Sequence, residues 1–245
     1  MIISAATDIG AYRESNQDAY CTGSFVSGDA WAVVCDGMGG VSGGQIASQI
    51  CVDVASSVIK RGYRVDLSVK SAKNLLQSAI NTANIAVFEE SQKDASLHGM
   101  GTTIVAVLVL RGVAVIGYVG DSRAYLLNDT IKRLTKDHSL VQVMIDTGKI
   151  TEEEAKVHPD RNIITRAVGI MSFVDVDYEI TDFSGDDKIL LCTDGLNGSV
   201  DDNVIYDIAT SEADNKAEVL IKAAIDGGSR DNITVVLLDS VVGGE

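Results

Sequence analysis

Four short apolar runs along the chain each have an aspartate at one end. The four aspartates and their runs are Asp36 after 31–35, Asp121 after 113–120, Asp194 after 189–193, and Asp231 before 233–238. Apolar runs of this length are typical of buried β-strands, so each carboxylate is predicted to lie at a strand end. A single aspartate in such a place is an ordinary turn residue. Four of them favour strand ends that converge on a cation.

Apolar side chains at helical spacing predict two long helices in the first half of the chain, over 46–59 and 75–87. Gly62 supplies a stop for the first of them. Two further helices are predicted near 202–209 and 215–225, after most of the strands. The helices therefore occur in pairs, each with one apolar face to bury.

The predicted strands are largely separated from these helices along the chain. We expect strands over 2–7, 31–35, 104–110, 113–119, 124–127, 174–180, 188–192 and 233–239. Arg111-Gly112 is predicted to form a hairpin turn, whereas 8–18 is polar and turn-like. Segregated elements indicate an α+β fold. A four-layer α/β/β/α sandwich, with two central and mostly antiparallel sheets flanked by helix pairs, buries every apolar face.

The segment 134–169 differs from the rest, because it is polar and mixed, with short helices predicted at 139–147 and 151–157. The single proline of the chain, Pro159, lies in it, and no linker of low complexity divides the sequence. We therefore expect one domain over 1–245.

Composition narrows the function classes. The net charge of −15 argues against a nucleic-acid-binding surface, which needs a basic patch. It also repels an anionic substrate unless cations offset the field. No apolar run approaches the ~18 residues of a membrane span, and the first residues lack the basic start of a signal peptide.

The cysteines are not arranged as a metal site, since none forms a C-x-x-C pair. They are Cys21, Cys35, Cys51 and Cys192, of which the last three fall in apolar runs and are expected in the core. We expect reduced thiols and a cytoplasmic protein.

The absence of other catalytic motifs favours a site in which oxygen ligands bind metal ions. The chain has no Cys-x5-Arg phosphate loop, no P-loop and no Gly-x-Ser-x-Gly nucleophile motif. Carboxylates, carbonyls and water suit Mg²⁺ or Mn²⁺, and two such ions can share and activate a water. One carboxylate must bridge them, and Asp36 is the natural candidate because the carbonyl of Gly37 follows it. Arg13 lies in a polar loop, where its guanidinium can bind two phosphate oxygens.

The motifs as a set resemble those of one known family, the metal-dependent protein phosphatases (PPM or type 2C), in their compact bacterial form. The motifs are Arg13-x-x-Asn-Gln-Asp18, Asp36-Gly-Met-Gly-Gly40, Gly101-Thr-Thr103, Gly120-Asp-Ser-Arg123, Asp137-His-Ser139, Thr193-Asp-Gly195 and Arg230-Asp-Asn-Ile-Thr234. The resemblance implies a β-sandwich between helix pairs, a binuclear Mn²⁺ or Mg²⁺ centre, and hydrolysis of phosphoserine and phosphothreonine by metal-activated water. The substrates implied are phosphoproteins made by a serine/threonine kinase, and a monomer is expected.

The resemblance also implies roles for the acidic residues. Asp36 bridges both ions, the Gly37 carbonyl binds one of them, and Asp194 and Asp231 complete the site of the other. Asp121, shared with Asp194, holds a third and weaker ion.

Three further implications concern residues around the ions. Asp18 holds water bound to the metal, Arg13 clamps the phosphate, and 134–169 is a flap beside the site. Met38 stands where some members have a histidine proposed as general acid, and Gln17 where they have a metal-binding glutamate. The proton donor to the leaving group is therefore unassigned.

Other interpretations remain open at this point. The aspartates could cap turns, and Arg123 could pair with Asp121. Arg13 could form an exposed ion pair of little energetic value, and His138 is expected to bond within its own turn. The chain could also be a non-catalytic regulatory module on the same fold, or act on a small phosphoester.

Overall fold

The computed structural model describes residues 1–240, and eleven strands lie within that range. In chain order they are β1 (Ile2–Asp8), β2 (Asp18–Ser24), β3 (Ala30–Met38), β4 (Gly101–Thr102), β5 (Ile104–Leu110), β6 (Val113–Val119), β7 (Arg123–Leu127), β8 (Ile131–Arg133), β9 (Asp177–Asp182), β10 (Lys188–Cys192) and β11 (Ile233–Asp239). The helices are α1 (Gly40–Gly62), α2 (Val69–Ser91), α3 (Leu140–Asp146), α4 (Glu152–Lys156), α5 (Asp194–Asn197), α6 (Asp202–Thr210) and α7 (Lys216–Asp226).

Two antiparallel sheets form the centre of the molecule. One has the strand order β1-β11-β10-β7-β8, and the other β2-β3-β5-β6-β9, with the short β4 paired to the end of β3. Their facing sides share a buried apolar cluster. Helices α1 and α2 cover the outer side of the second sheet, and α5 to α7 that of the first. The predicted α+β sandwich of four layers is confirmed.

Strand β5 shows why the central strands are apolar along their whole length. Val105 and Val107 face the other sheet, whereas Ile104 and Ala106 face the helices, so both sides of the strand are buried. The hairpin from β5 to β6 turns at Arg111 and Gly112 as predicted. Their φ values of 39° and 86° are the positive pair that a two-residue hairpin favours.

Several elements differ from the sequence-based expectation. Strand β2 and the single-turn helix α5 were not predicted, and β9 begins at Asp177 rather than at 174. β3 does not stop at Asp36 but continues to Met38, because β4 supplies it with a partner there. No helix within residues 1–240 is long and apolar enough to cross a membrane.

Candidate active site

Two neighbouring strands bring the first pair of carboxylates together. Asp18 at the start of β2 lies directly opposite Asp36 on β3. The backbone of Asp36 is fully engaged: its N–H donates to Thr103 Oγ1 at 2.9 Å, and its carbonyl accepts from the Thr103 N–H and from Thr102 Oγ1, both at 2.8 Å. The half-buried side chain is thus presented by a fixed backbone.

Close backbone packing beside Asp36 requires glycine. A Cβ on Gly37 would lie 2.0 Å from the carbonyl oxygen of Gly44 in the first turn of α1, so no larger residue fits. The Gly37 N–H donates to the carbonyl of Gln17 at 3.1 Å, and Gln17 Nε2 donates to the carbonyl of Gly40 at 2.9 Å. The start of α1 is therefore held against the ends of β2 and β3.

The other sheet contributes its carboxylates at the same end of the sandwich. Asp194 opens α5 directly after β10, and its neighbour Thr193 donates from Oγ1 to Asp18 Oδ2 at 2.8 Å. Thr234 on β11 donates to the same oxygen at 2.7 Å. Asp231 precedes β11, and its charge acts on Asp194. Asp18 is therefore a hydrogen-bonded link between the two sheets.

The charges of the other four predicted carboxylates all act on Asp36. Burial raises the pKa of Asp18 to about 7, with the charges of Asp194 and Asp231 adding to it. Burial and the charge of Asp194 raise the pKa of Asp121 to about 8, and burial with Asp231 raises that of Asp194 to about 6. Burial raises the pKa of Asp36 most strongly, followed by repulsion from the other four. Such a cluster is stabilised by a cation at its centre.

The donor set fits a hard divalent cation. Asp18 Oδ1 and Asp194 Oδ1 are buried and have no hydrogen-bond partner among residues 1–240, and all the gathered side chains offer oxygen. In that part of the chain no three His, Cys, Asp or Glu side chains are close enough to hold an ion by themselves. Mg²⁺ and Mn²⁺ suit this arrangement, because such ions retain several waters and take few protein ligands.

Arg13 joins the acidic cluster from the loop between β1 and β2. Its Nη2 donates to Asp231 Oδ2 at 2.6 Å, and that bond, together with the charges of Asp36 and Asp194, raises the pKa of the guanidinium. The side chain of Arg13 is 51% exposed. It therefore keeps donors free for an anionic substrate while being tied to the carboxylates.

One residue that holds this loop was missed as a separate site residue. Asn232, 4% exposed, donates from Nδ2 to the carbonyls of Ile9 and Ser15 at 2.9 and 3.1 Å, and its Oδ1 accepts from the Gln17 N–H at 2.8 Å. The only sequence signal for it is its place within the motif that begins at Arg230.

One open alternative and one expectation about neighbouring residues were wrong. Arg123 does not pair with Asp121; it makes a bidentate ion pair with Asp137, with contacts of 2.6 to 3.2 Å. His138 does not bond within its own turn. Its Nδ1 accepts from the Gly120 N–H at 3.0 Å, and Nε2 lies 3.1 Å from Asp177 Oδ2. The contacts of Arg123 and His138 thus anchor the start of 134–169 to the sheets. The sequence pattern suggested local partners, whereas the observed partners lie in other segments.

Comparisons with known proteins agree with this architecture. The family model described as protein phosphatase 2C matches residues 11–220. The serine/threonine phosphatase stp of Listeria innocua is 40% identical over 240 residues, which cover 95% of this chain and 93% of that protein. The serine/threonine protein phosphatase PstP of Mycobacterium tuberculosis is 35% identical over 97% of this chain and 44% of its own length.

Solved structures show the same fold. The crystal structure of serine/threonine phosphatase Stp1 from Staphylococcus aureus aligns with a TM-score of 0.91 at 36% identity, over 98% of this chain and 95% of that one. The catalytic domain of PstP in complex with two manganese ions aligns with a TM-score of 0.85 at 32% identity, over 97% of each chain.

The four-layer sandwich and the matching family model define a phosphatase-type fold. The chain belongs to the protein phosphatase 2C family, in its bacterial branch. The predicted family and the predicted enzyme class, serine/threonine phosphatase, are confirmed. The individual roles assigned to Arg13 and the aspartates stay predictions.

Proposed function

We propose that the chain hydrolyses phosphoserine and phosphothreonine in proteins at a centre of two Mn²⁺ or Mg²⁺ ions. The observation that carries the proposal is the meeting of carboxylates from both sheets, with raised pKa values, beside a half-exposed arginine. Relatives named serine/threonine phosphatases support the reaction, and the manganese complex of one of them supports the metal.

The aspartates take distinct roles in this proposal. Asp36 would hold both ions, Asp194 and Asp231 would complete the ligands of one, and the Gly37 carbonyl would contribute to the other. Asp121, together with Asp194, would hold a third ion more weakly. Bound ions of this kind supply a nucleophilic water at neutral pH and offset the charge of the phosphate.

Asp18 and Arg13 act next to the ions. The two hydroxyl donors on Asp18 Oδ2 fix its carboxylate, so that the buried Oδ1 can accept a hydrogen bond from water at the centre. Arg13 binds two phosphate oxygens through its planar fork. The leaving-group proton donor has no assigned side chain, since Met38 cannot supply one.

The segment 134–169 acts as the flap of a single domain in this proposal. A cleft of about 1030 Å³ lies between this segment and the region of α5 and α6. Asp121 and Asp194 line it, so a phosphoprotein segment in the cleft reaches the ions.

We also infer a cytoplasmic monomer that opposes a serine/threonine kinase and binds neither nucleic acid nor membrane. The four cysteines are free, and Cys35, Cys51 and Cys192 are buried, as suits a reducing compartment. The net charge of −15 is unfavourable for nucleic-acid phosphates.

The test is phosphate release from a phosphothreonine peptide with Mn²⁺ present. We expect Asp36→Asn and Asp231→Asn to reduce release to background, whereas Asp129→Asn, at an exposed loop position, retains it. Activity that survives EDTA contradicts the proposal. Calorimetry without uptake of Mn²⁺ would instead indicate a non-catalytic module, and a higher kcat/KM on small phosphates than on peptides a different substrate.

A further inference from the structure

A second cavity, of about 290 Å³, opens beside Met38 at the end of β3. Its other walls come from the segment 164–175, with Ile170, Met171 and Phe173 among the lining side chains. The volume is at the lower end of the range for ligand sites, and the lining is largely apolar. It suits one apolar side chain better than a whole small molecule.

The apolar side chains around this cavity are exposed although their backbone is fixed. Ile170 is 42% exposed, Met171 60% and Phe173 69%. Three large apolar side chains clustered at one place form a patch of the kind that marks a binding surface.

The turn that carries these three apolar side chains is held on its buried side by an asparagine. Asn84 of α2, 1% exposed, accepts from the Gly169 N–H at 2.8 Å and donates to the Met171 carbonyl at 3.0 Å. Val168, one residue earlier, exchanges backbone hydrogen bonds with Thr102 at 3.0 and 2.9 Å. The patch is therefore a preformed surface, which lowers the entropic cost of binding.

The cavity is close to the catalytic carboxylates. Met38 follows Asp36 by two residues on the same strand, a distance of about 7 Å. A Cβ added to Gly101 would lie within 3.0 Å of both Ile170 Cδ1 and Met38 Cε. The ends of these two side chains therefore pack over the same residue of β4. A substrate residue two or three positions from the phosphorylated one spans this distance.

The charges at the rim favour an apolar occupant over a second phosphate. Arg166 lines the cavity, but its Nη2 bonds to Asp177 Oδ1 at 3.1 Å and to the carbonyl of Asp175, and its Nη1 lies 3.0 Å from His138. Asp175 is a further lining residue. The guanidinium is thus paired with Asp177, while its buried Nε has no hydrogen-bond partner among residues 1–240.

We propose, on the basis of the phosphatase function above, that this cavity receives an apolar side chain of the phosphoprotein substrate. That side chain lies within three residues of the phosphorylated serine or threonine. The enzyme is then selective for phosphorylation sites flanked by a residue such as leucine, methionine or phenylalanine.

The experiment compares phosphothreonine peptides that carry leucine or alanine at each position from −3 to +3 in an otherwise uniform sequence. We expect kcat/KM to favour leucine about tenfold at one position, as a hydrophobic pocket discriminates. Phe173→Ala and Met171→Ala, both at exposed positions, should bring this ratio towards one. Val65→Ala is the matched control, since Val65 is as exposed as Met171 and lies in the loop between α1 and α2.

The outcomes separate this inference from the proposed function. A ratio near one at every position for the unaltered enzyme overturns the inference, as does a ratio that falls equally in Val65→Ala. A dimer that dissociates in Phe173→Ala also overturns it, because the occupant is then a second copy. Failure to release phosphate from every peptide and from p-nitrophenyl phosphate with Mn²⁺ refutes the proposed function itself, and the inference with it.

Discussion

Asp18 offers a direct test of the electrostatic reasoning, because its carboxylate is buried among like charges. Without a bound cation its pKa is about 7 instead of 3.8, with burial as the main cause. The folded state then holds the proton more tightly than the unfolded state. The stabilisation is complete below pH 3.8 and is lost as the pH rises through about 7, at a cost of about 4 kcal/mol by pH 8.

Asp18→Asn removes the charge and keeps an oxygen that can accept from Thr193 and Thr234. In EDTA we expect the variant to gain stability relative to the unaltered protein as the pH rises. The gain from pH 5 to pH 8 is about 2 to 3 kcal/mol, because most of the ionisation penalty in the folded state falls within this interval. With Mn²⁺ present we expect Asp18→Asn to be less active than the unaltered protein, since the asparagine is a weaker acceptor for water at the ions.

The assay is urea unfolding in EDTA at pH 5, 6, 7 and 8. The free energies of unfolding of the two proteins are compared where their fitted m-values agree. Burial lowers the pKa of His138, which affects stability in the same interval, but it affects both proteins equally and cancels in the difference. Asp129→Asn, at an exposed position, should show no pH-dependent difference. A gap between Asp18→Asn and the unaltered protein that is constant or shrinks from pH 5 to pH 8 would refute the reasoning.

Two further substitutions test the phosphate clamp and the support of the apolar patch. Arg13→Ala should lower kcat/KM on phosphopeptides about 100-fold. It should lower the free energy of unfolding by under about 1 kcal/mol, because the ion pair of Arg13 is exposed. A loss of kcat/KM of less than threefold in steady-state assays would show that Arg13 is not part of the site. Asn84→Ala should lower the free energy of unfolding by about 3 kcal/mol, because the Gly169 N–H and the Met171 carbonyl lose their partner. Asn74→Ala, exposed on the same helix, should change it by under about 0.5 kcal/mol in urea titrations, and equal effects of the two would contradict the assignment.

The elements that sequence patterns predicted well are those buried on both sides. Strands β5, β6, β10 and β11 are apolar almost throughout, because helices cover one face and the other sheet covers the opposite face. Strand β2 is an edge strand whose residues are half-buried or exposed, so neither an apolar run nor a clear alternation marks it. Helix α5 has four residues, too few to show a period.

The candidate site divides in the same way. Aspartates that follow or precede buried strands are visible in sequence, because an apolar run ending in a carboxylate is a local pattern. The hydroxyls of Thr193 and Thr234 that hold Asp18 are not visible, since one follows β10 and the other lies on β11, both in the other sheet's part of the chain. A local turn was expected for His138 and considered for Arg123 for the same reason, although their partners lie in other segments.

In the proposed function, cation binding acts on both sheets of the sandwich, because each sheet supplies carboxylates. Asp18 and Asp36 belong to one sheet, whereas Asp194 and Asp231 belong to the strand ends of the other. Their mutual repulsion when ionised is unfavourable at this end of the sandwich, whereas the two threonine hydroxyls on Asp18 link the sheets there. A divalent cation held between the sheets, as proposed, would remove the repulsion, so its binding free energy would stabilise the fold as well as the site. The raised pKa values of Asp18, Asp36 and Asp194 mean that these side chains cost stability when they ionise without metal, and in the proposed site the same side chains would contribute to the affinity for metal.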